Sequence, residues 1–376
     1  MQLITGGYGM EKAAQVVVTV AAAVLDFQKQ VDFPIAWESL GGSGHSGLNL
    51  TLLLVRLSFM PQHLITLLDL DRDRVEGFLV LAASIKKEYK EKGANDALKG
   101  RTAAMIFEKP SLRTRVTFEA GMVQLGGAAI NLDPGQISLG KRESVSDAAM
   151  SLSRWVDAII ARTYSHSLVT ELAKYATVPV INALTDLHHP CQALALGQTL
   201  MERRGKLTGL KIVFVGDGNN VANSIAELAG HLGMHFTLAC PKGYEQPAAV
   251  VKDFLPLFKK TGAKYEVTNN PAEAVRGADC IYTDVWISMG EEAQAEEKKR
   301  HFAGFQVNAD LMSRAPDQCL ITHCLPAHPG EEITQEAMDS DRCVIFDEAE
   351  NRLHAQKAVL LTLIGAAMPG GKAGRN

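Results

Sequence analysis

From Met60 onward, apolar positions follow two periods. Val75, Phe78, Leu79, Ala82 and Ile85 recur at three- and four-residue steps, the spacing of one buried helix face, and the charged run ending at Asn95 closes that helix. A short continuous apolar run follows at Thr102–Phe107. Similar runs stand at Ala128–Leu132, Ala158–Ala161, Val178–Asn182, Lys211–Val215, His235–Ala239, Tyr265–Thr268, Cys280–Thr283, Cys319–Thr322 and Cys343–Phe346, most of them separated by a helix-length segment. Short runs that are apolar on both faces predict strands covered on both sides, the condition of a parallel sheet flanked by helices. The predicted class is α/β, with two doubly wound parallel-sheet domains and a cleft between them. Turn-rich, basic Gly205–Gly209 precedes the strand Lys211–Val215, so a second sheet starts there and a helix from about Pro190 to Arg204 crosses the boundary. The expected division is 1–59 as an N-terminal extension, 60–197 and 198–345 as the two domains, and 346–376 as a C-terminal helix packing back on the first domain, plus a tail.

The extension differs from the rest of the chain. Ala13–Leu25 has the length of a signal-peptide core, but Lys12 is the one basic residue before it and no clean small-residue cleavage site follows. A transit peptide would be rich in Arg and poor in acids, whereas Lys12, Lys29 and Arg56 face Glu11, Asp26, Asp32 and Glu38. The segment is expected to be a dispensable extension or an upstream mis-start, and the protein cytoplasmic. No apolar run reaches the roughly 18 residues of a spanning helix, so no membrane partner is expected.

Composition narrows the chemistry. The 376 residues suffice for two cores. With 38 Lys and Arg against 42 Asp and Glu, the net charge is −4, which argues against a nucleic-acid-binding surface, so any anion must be met by a local site. The six cysteines form no Cys-x-x-Cys pair, and Cys319 and Cys324 lack histidines at zinc-finger spacing, which points to a reduced protein with no structural metal.

Ligands of open α/β sheets bind beyond the carboxyl ends of the strands, and the unusual polar clusters of this chain fall there. They are Glu108–Arg115, Arg162-Thr163, Asp186–Gln192, Gly216–Asn220, Asp284–Gly290, His323–Pro326 and Asp347–Arg352. Their spread over both predicted sheets suggests a cleft lined from two sides. Ser111 follows a proline and precedes a helical pattern, so it is read as an N-cap with the amides of Leu112, Arg113 and Thr114 pointing outward. Such a helix start, with a hydroxyl and two guanidinium groups, is a trap for phosphate or carboxylate, against the plainer alternative of a solvated basic helix end. Arg162 at a strand end and Arg352 at the expected start of the last helix gain meaning only by converging on it. His189, before Pro190 at a helix start, and Gln192 one turn in can address a carbonyl or phosphate oxygen. Gly216-Asp217-Gly218-Asn219-Asn220-Val221 fails the dinucleotide fingerprint, since Val221 takes the third glycine position and Ala239-Cys240-Pro241 lacks the ribose-binding acid. A hydride-transfer enzyme is thereby disfavoured. Neighbours in a strand face opposite ways, so a nucleophilic dyad of His323 and Cys324 is not expected. Either Cys324 is an inert buried thiol, or the Leu325-Pro326 turn aims it and the Leu325 carbonyl into the cleft.

Ser-x-Arg-Thr-Arg at 111–115, His-Pro-x-Gln at 189–192, Asp-x-x-x-Ser-Met-Gly at 284–290, His-Cys-Leu-Pro at 323–326 and Glu-Asn-Arg at 350–352 occur in the order of the transcarbamylases, which the chain resembles from about His63 to Leu363. The Ser-Met-Gly and His-Cys-Leu-Pro motifs resemble those of the ornithine-specific branch. The resemblance implies transfer of a carbamoyl group from carbamoyl phosphate to the side-chain amine of L-ornithine, giving L-citrulline and phosphate, with no cofactor or metal and in a homotrimer. It would place Ser111, Leu112, Arg113, Thr114, Arg162, His189, Gln192 and Arg352 on carbamoyl phosphate, and Asn220, Asp284, Ser288, Met289, Cys324 and Leu325 on ornithine, with Arg162, His189 and Cys324 as catalytic groups. Another amine such as putrescine, or a carbamoyl-phosphate-binding relative with little turnover, are the alternatives. Departures from the family pattern are Leu112 for a usual Thr, Ser138 for Gln or His, Ala148 and Met150 for Thr and Arg, and Leu196 for Asp. The last three remove polar groups expected near the site.

Overall fold

The computed structural model describes residues 63–133, 139–140, 142–287 and 295–366. The extension 1–59, Ser138, Ser288, Met289 and the Gly-rich tail lie outside them.

After a 3-10 turn at Leu67–Asp69, capped by Thr66, the chain enters α1 (Arg72–Lys92), whose N-cap Asp71 accepts from the Arg74 amide. The first sheet is built from β1 (Thr102–Phe107), α2 (Arg113–Gln124), β2 (Ala128–Leu132), α3 (Val145–Trp155), β3 (Ala158–Arg162), α4 (His166–Tyr175) and β4 (Val180–Leu184). Helix α5 (Pro190–Arg204) then leads into the second, with β5 (Lys211–Val215), α6 (Asn220–Leu232), β6 (His235–Ala239), α7 (Ala248–Thr261), β7 (Tyr265–Thr268), β8 (Cys280–Thr283), α8 (Ala295–Phe302) and β9 (Leu320–His323). The long α9 (Ile345–Ala366) closes the described chain and packs on α1, α2 and α5. All pairings between these strands are parallel. The order is β2-β1-β3-β4 in one sheet and β7-β6-β5-β8-β9 in the other. The α/β class and the two doubly wound sheets are therefore as the hydrophobic pattern indicates.

Strand alternation divides the core into layers. Ile106, Ile159 and Ala161 face outward under α3 and α4, and Val213, Val215 and Ile281 face outward under Trp286, Phe302 and Phe305. The opposite faces, Met105 and Ile160 in one sheet and Ile212, Phe214 and Tyr282 in the other, join a single cluster with Leu79, Leu194, Ile225 and Val359. The helices between the sheets thus bury apolar surface against both, which fixes how the carboxyl ends of the strands face each other.

Some local expectations need correction. Val178–Asn182 is shifted to Val180–Leu184, because Pro179 has no amide for the ladder. Cys343–Phe346 is not a strand. Cys343 makes one isolated bridge to Ile321, and the chain turns helical at Ile345. Arg352 therefore lies about two turns inside α9 rather than at its start. Ser111 does not cap α2 either, since Leu112 holds that position with helical φ and ψ and no side chain accepts from the first turn.

Candidate active site

Both sheets reverse their strand order beside their first strand, between β1 and β3 and between β5 and β8. Such a switch point opens a crevice at the carboxyl ends. In the first sheet the register pairs Phe107 with Arg162, so the chain leaving β1 toward α2 passes beside the Arg162 side chain. Thr114, in the first turn of α2, is fully buried and accepts from two guanidinium groups, Arg162 Nη1 at 3.2 Å and Arg352 Nη2 at 2.5 Å. Arg113 precedes it. Burial lowers the Arg162 pKa to about 10, and the charges of Arg352 and Arg113 push it the same way. Burial likewise lowers Arg352 and Arg113. None of the three has a carboxylate within ion-pair distance among the described residues, and the Nε atoms of Arg162 and Arg352 are buried without a partner. Arg162 and Arg352 form a desolvated cationic pair with half-buried Arg113 beside it.

His189 stands beside it, before Pro190 at the start of α5. Burial lowers its pKa well below the ordinary value, and Arg352 and Arg162 add to the effect, so the ring is neutral. Its Nδ1 has no partner, while its backbone amide donates to Ser224 Oγ at 2.8 Å and fastens it to α6. Gln192 donates from Nε2 to Glu348 Oε1 at 2.5 Å, leaving its carbonyl Oε1 buried and unpartnered.

The second sheet supplies the facing wall. Asp284, just past β8, accepts through Oδ2 from Asn219 Nδ2 at 2.8 Å and through Oδ1 from the Cys324 thiol at 2.8 Å. Burial raises the Cys324 pKa, and the Asp284 charge and the hydrogen bond to it raise it further, so the sulfur is a protonated thiol. The Asp284 charge in turn opposes the lowering of the Arg113 pKa by burial, which places the two walls within electrostatic reach. Leu325 adopts a left-handed φ of 59°, a strained geometry for a leucine, and its amide donates to His323 Nδ1 at 2.8 Å. That ring nitrogen is 3.9 Å from Cys324 Sγ and already engaged, so the thiol pairs with Asp284 and not with its neighbour.

Arg113, Thr114, Arg162, His189, Gln192 and Arg352 are thus gathered at one crevice, with Asp284 and Cys324 across it. Ser111 and Leu112 stand at the same helix start without side-chain hydrogen bonds, Leu112 being 73% exposed. Asn220 points its amide to Thr185 O at 2.5 Å in the other lobe, whereas Asn219 is the residue that both caps α6 and holds Asp284. Asn219 and Glu348 fall in the polar clusters Gly216–Asn220 and Asp347–Arg352, but the sequence assigns neither a role. Asn219 adjoins a residue that was singled out, so the N-cap preference for Asn followed by a helical run was its available signal. Of the departures, Ala148 and Leu196 are buried in apolar clusters and Met150 is half-exposed on α3. Gly218 approaches the backbone at Gln246 so closely that any Cβ would clash, and its amide donates to Tyr244 O. The glycine thus serves a turn-to-turn contact, consistent with the failed dinucleotide fingerprint.

Two groups of possible metal ligands occur among the described residues, Asp284 with His323 and Cys324, and His328 with Glu331 and Glu332. In the first, the thiol donates to Asp284, His323 Nδ1 accepts from Leu325, and His323 Nε2 pairs with Glu332 at 3.1 Å. No helix among the described residues is long and apolar enough to cross a membrane.

Comparison with known proteins gives the same picture from another side. Residues 62–202 match the family "Aspartate/ornithine carbamoyltransferase, carbamoyl-P binding domain", and residues 208–363 match its "Asp/Orn binding domain". The chain is 50% identical over 300 residues to the ornithine carbamoyltransferase of Anoxybacillus flavithermus, covering 80% of this chain and 96% of the relative. It is 47% identical over 309 residues to the anabolic ornithine carbamoyltransferase of Pyrococcus furiosus, covering 82% and 98%. The solved structure of ornithine carbamoyltransferase from Pyrococcus furiosus superposes with a TM-score of 0.79 at 48% identity, covering 81% of this chain and 97% of that one. That of ornithine carbamoyltransferase from Thermus thermophilus gives 0.72 at 44% identity, covering 81% and 99%. With both family domains matched in order and relatives near half identical along almost their whole length, the chain belongs to the aspartate/ornithine carbamoyltransferase family.

Proposed function

We propose that this protein is an ornithine carbamoyltransferase, transferring the carbamoyl group of carbamoyl phosphate to the side-chain amine of L-ornithine to give L-citrulline and phosphate. The observation that carries the chemistry is the pair of buried Arg162 and Arg352 on Thr114, with half-buried Arg113 beside them and no carboxylate among the described residues within ion-pair distance, facing Asp284 and Cys324. A phosphate dianion supplies the missing counter-charge and accepts from the guanidinium groups and from the uncapped amides at the start of α2. Ser111 and Leu112 contribute backbone at that start. Neutral His189 can donate to the carbamoyl oxygen without adding charge, and with Arg162 it stabilises the oxyanion of the tetrahedral intermediate. Gln192 Oε1 accepts from the carbamoyl NH2.

On the other wall, Asp284 binds the α-ammonium of ornithine, with Asn219 and Asn220 at the same helix start. Ser288 and Met289 complete this half by family resemblance alone. The attacking amine must lose its proton near neutral pH, and Cys324 with the Leu325 carbonyl orients it, the thiol–carboxylate pair offering a nearby proton acceptor. Holding both substrates in line across the crevice accounts for much of the rate. No cofactor or metal takes part in this scheme.

Residues 60–197 act as the carbamoyl phosphate lobe and 198–345 as the ornithine lobe, with the last helix returning to the first. Exposed Leu112, Val116, Val123 and Ile130, next to β2 with its one free edge, support self-association through the first lobe, in a homotrimer. Six unpaired cysteines suit a reducing, cytoplasmic setting. The test is a colorimetric assay for citrulline with carbamoyl phosphate and ornithine. Steady production that depends on both substrates is expected, and no product at saturating concentrations of both rejects the proposal.

A further inference from the structure

The carboxylate of Glu348 is fully buried in the first turn of α9 and receives three donors from three other elements. Gln192 Nε2 of α5 lies at 2.5 Å and Tyr282 Oη of β8 at 3.0 Å, both on Oε1, and Thr322 Oγ1 of β9 lies at 2.5 Å on Oε2. No Lys, Arg or His among the described residues comes within ion-pair distance of it, and the nearest cationic influence is Arg352, one turn on in the same helix. Taking a carboxylate out of water costs several kcal/mol. Here burial raises the Glu348 pKa to about 7, against the hydrogen bonds and Arg352, which hold it down. A hydrophobic residue would pack that space without such a cost, so the acid needs a reason.

The reason lies in what the acid does to Gln192. A side-chain amide has a donor end and an acceptor end of nearly equal shape, and its surroundings decide which way it turns. Only the NH2 end can face an ionised carboxylate. With Nε2 bound to Glu348, the carbonyl Oε1 must point away, and it is a buried acceptor with no partner among the described residues. It lies one turn along α5 from His189, which feels the charges of Arg352 and Arg162, and the guanidinium groups of that cluster can only donate. On carbamoyl phosphate, the phosphate and carbonyl oxygens accept, and the one donor is the carbamoyl NH2. An acceptor turned into a site full of donors therefore reads the end of the substrate that inorganic phosphate lacks.

We propose that Glu348 is a positioning residue whose carboxylate locks Gln192 with its carbonyl toward the carbamoyl NH2, so that the site distinguishes carbamoyl phosphate from phosphate. This rests on the assignment of Gln192 to the carbamoyl end of the substrate. Tyr282 and Thr322 donate to the same carboxylate from β8 and β9, so the lock is anchored in the ornithine lobe while it acts on the carbamoyl phosphate lobe.

The test compares two ligands in Glu348→Gln, whose amide can donate to Gln192 and let it turn round. At pH 8, above the Glu348 pKa, KM for carbamoyl phosphate should rise roughly 10- to 100-fold, as expected for two donors left facing each other, while Ki for inorganic phosphate stays within about 3-fold of the parent. In a Gln192→Ala background the same change should add less than about 3-fold. Equal weakening of both ligands, unchanged carbamoyl phosphate affinity, or effects that multiply in the double variant would each overturn the proposal. Should Glu348→Gln fail to fold, Glu348→Asp takes its place. It keeps the carboxylate and is expected to hold the discrimination within about 3-fold of the parent, and a fall to the level of Gln192→Ala overturns the lock. The two readings fail separately: absence of citrulline from the parent chain sinks the activity, whereas an equal loss for both ligands sinks only the role of Glu348.

Discussion

Cys324 donates its thiol proton to Asp284 Oδ1 across 2.8 Å, so the carboxyl ends of β8 and β9 meet in a thiol–carboxylate pair. Each residue constrains the other. Asp284 keeps the sulfur protonated, and the thiol occupies a carboxylate oxygen that would otherwise bind water or substrate.

Loss of that pair should be felt in the acceptor half of the reaction. Cys324→Ala is expected to raise KM for ornithine and lower kcat, with kcat/KM down roughly 10- to 100-fold, about 1.4–2.7 kcal/mol, while KM for carbamoyl phosphate changes little. Steady-state kinetics with each substrate varied would show this, and unchanged ornithine kinetics would remove Cys324 from the mechanism.

The same pair predicts chemical inertness. A thiol whose pKa is raised by burial and by Asp284 should react with iodoacetamide at pH 8 far more slowly than a free cysteine, and Asp284→Asn should speed labelling of Cys324. Mass spectrometry of the labelled peptide reads the rate directly, and fast labelling of the parent contradicts the geometry.

Three cations crowded with no carboxylate among the described residues in ion-pair reach should trade stability for binding. Arg113→Gln is expected to cut kcat/KM for carbamoyl phosphate by roughly 100- to 10,000-fold, about 3–5 kcal/mol. In the absence of ligand its Tm should be equal to or above that of the parent, because one of the mutually repelling charges is gone. Added phosphate should raise the Tm of the parent more than that of the variant, as expected for an anion that binds only the folded cluster. A variant that is both active and destabilised would contradict the assignment of Arg113.

Lys357 carries a pH dependence of its own. It is buried against α1 and α2, with Nζ donating to Gln124 Oε1 at 3.1 Å and lying 4.4 Å above the Tyr89 ring. Burial lowers its pKa to about 8, so the unfolded chain, with the ordinary value of 10.5, holds more protons between those limits. Stability should therefore rise with pH through that window, and the penalty is complete below about 8. Lys357→Met keeps the apolar stem and should be more stable than the parent at pH 7.5, on the order of 1–2 kcal/mol after solvent screening, with the advantage shrinking toward pH 10. Thermal melts at the two pH values check the sign.

Much of this arrangement is legible along the chain because it depends on periodicity and on strand ends. Short apolar runs separated by helix lengths specify both sheets, and polar residues placed immediately after those runs fall on the crevice, as Arg162 and Asp284 do. What is not legible depends on partners distant in sequence. Cys343–Phe346 has the composition of a strand, yet only a single bridge forms before helical hydrogen bonding takes over at Ile345. Ser111 has the side chain of a cap, but Leu112 takes the position and leaves the helix start open. Glu348 is the clearest case. The sequence places it in the polar cluster Asp347–Arg352 without distinguishing it from Asp347 and Glu350, and only the folded chain brings Gln192, Tyr282 and Thr322 around it.

Helix α9 carries Glu348 and Arg352 one turn apart, and they reach different customers: one ties to β8 and β9 of the second sheet, the other to Thr114 at the start of α2. A small rotation of this single rod about its axis would shift both grips at once. Damage confined to the last helix should therefore silence donor and acceptor chemistry together, although neither sheet loses a strand.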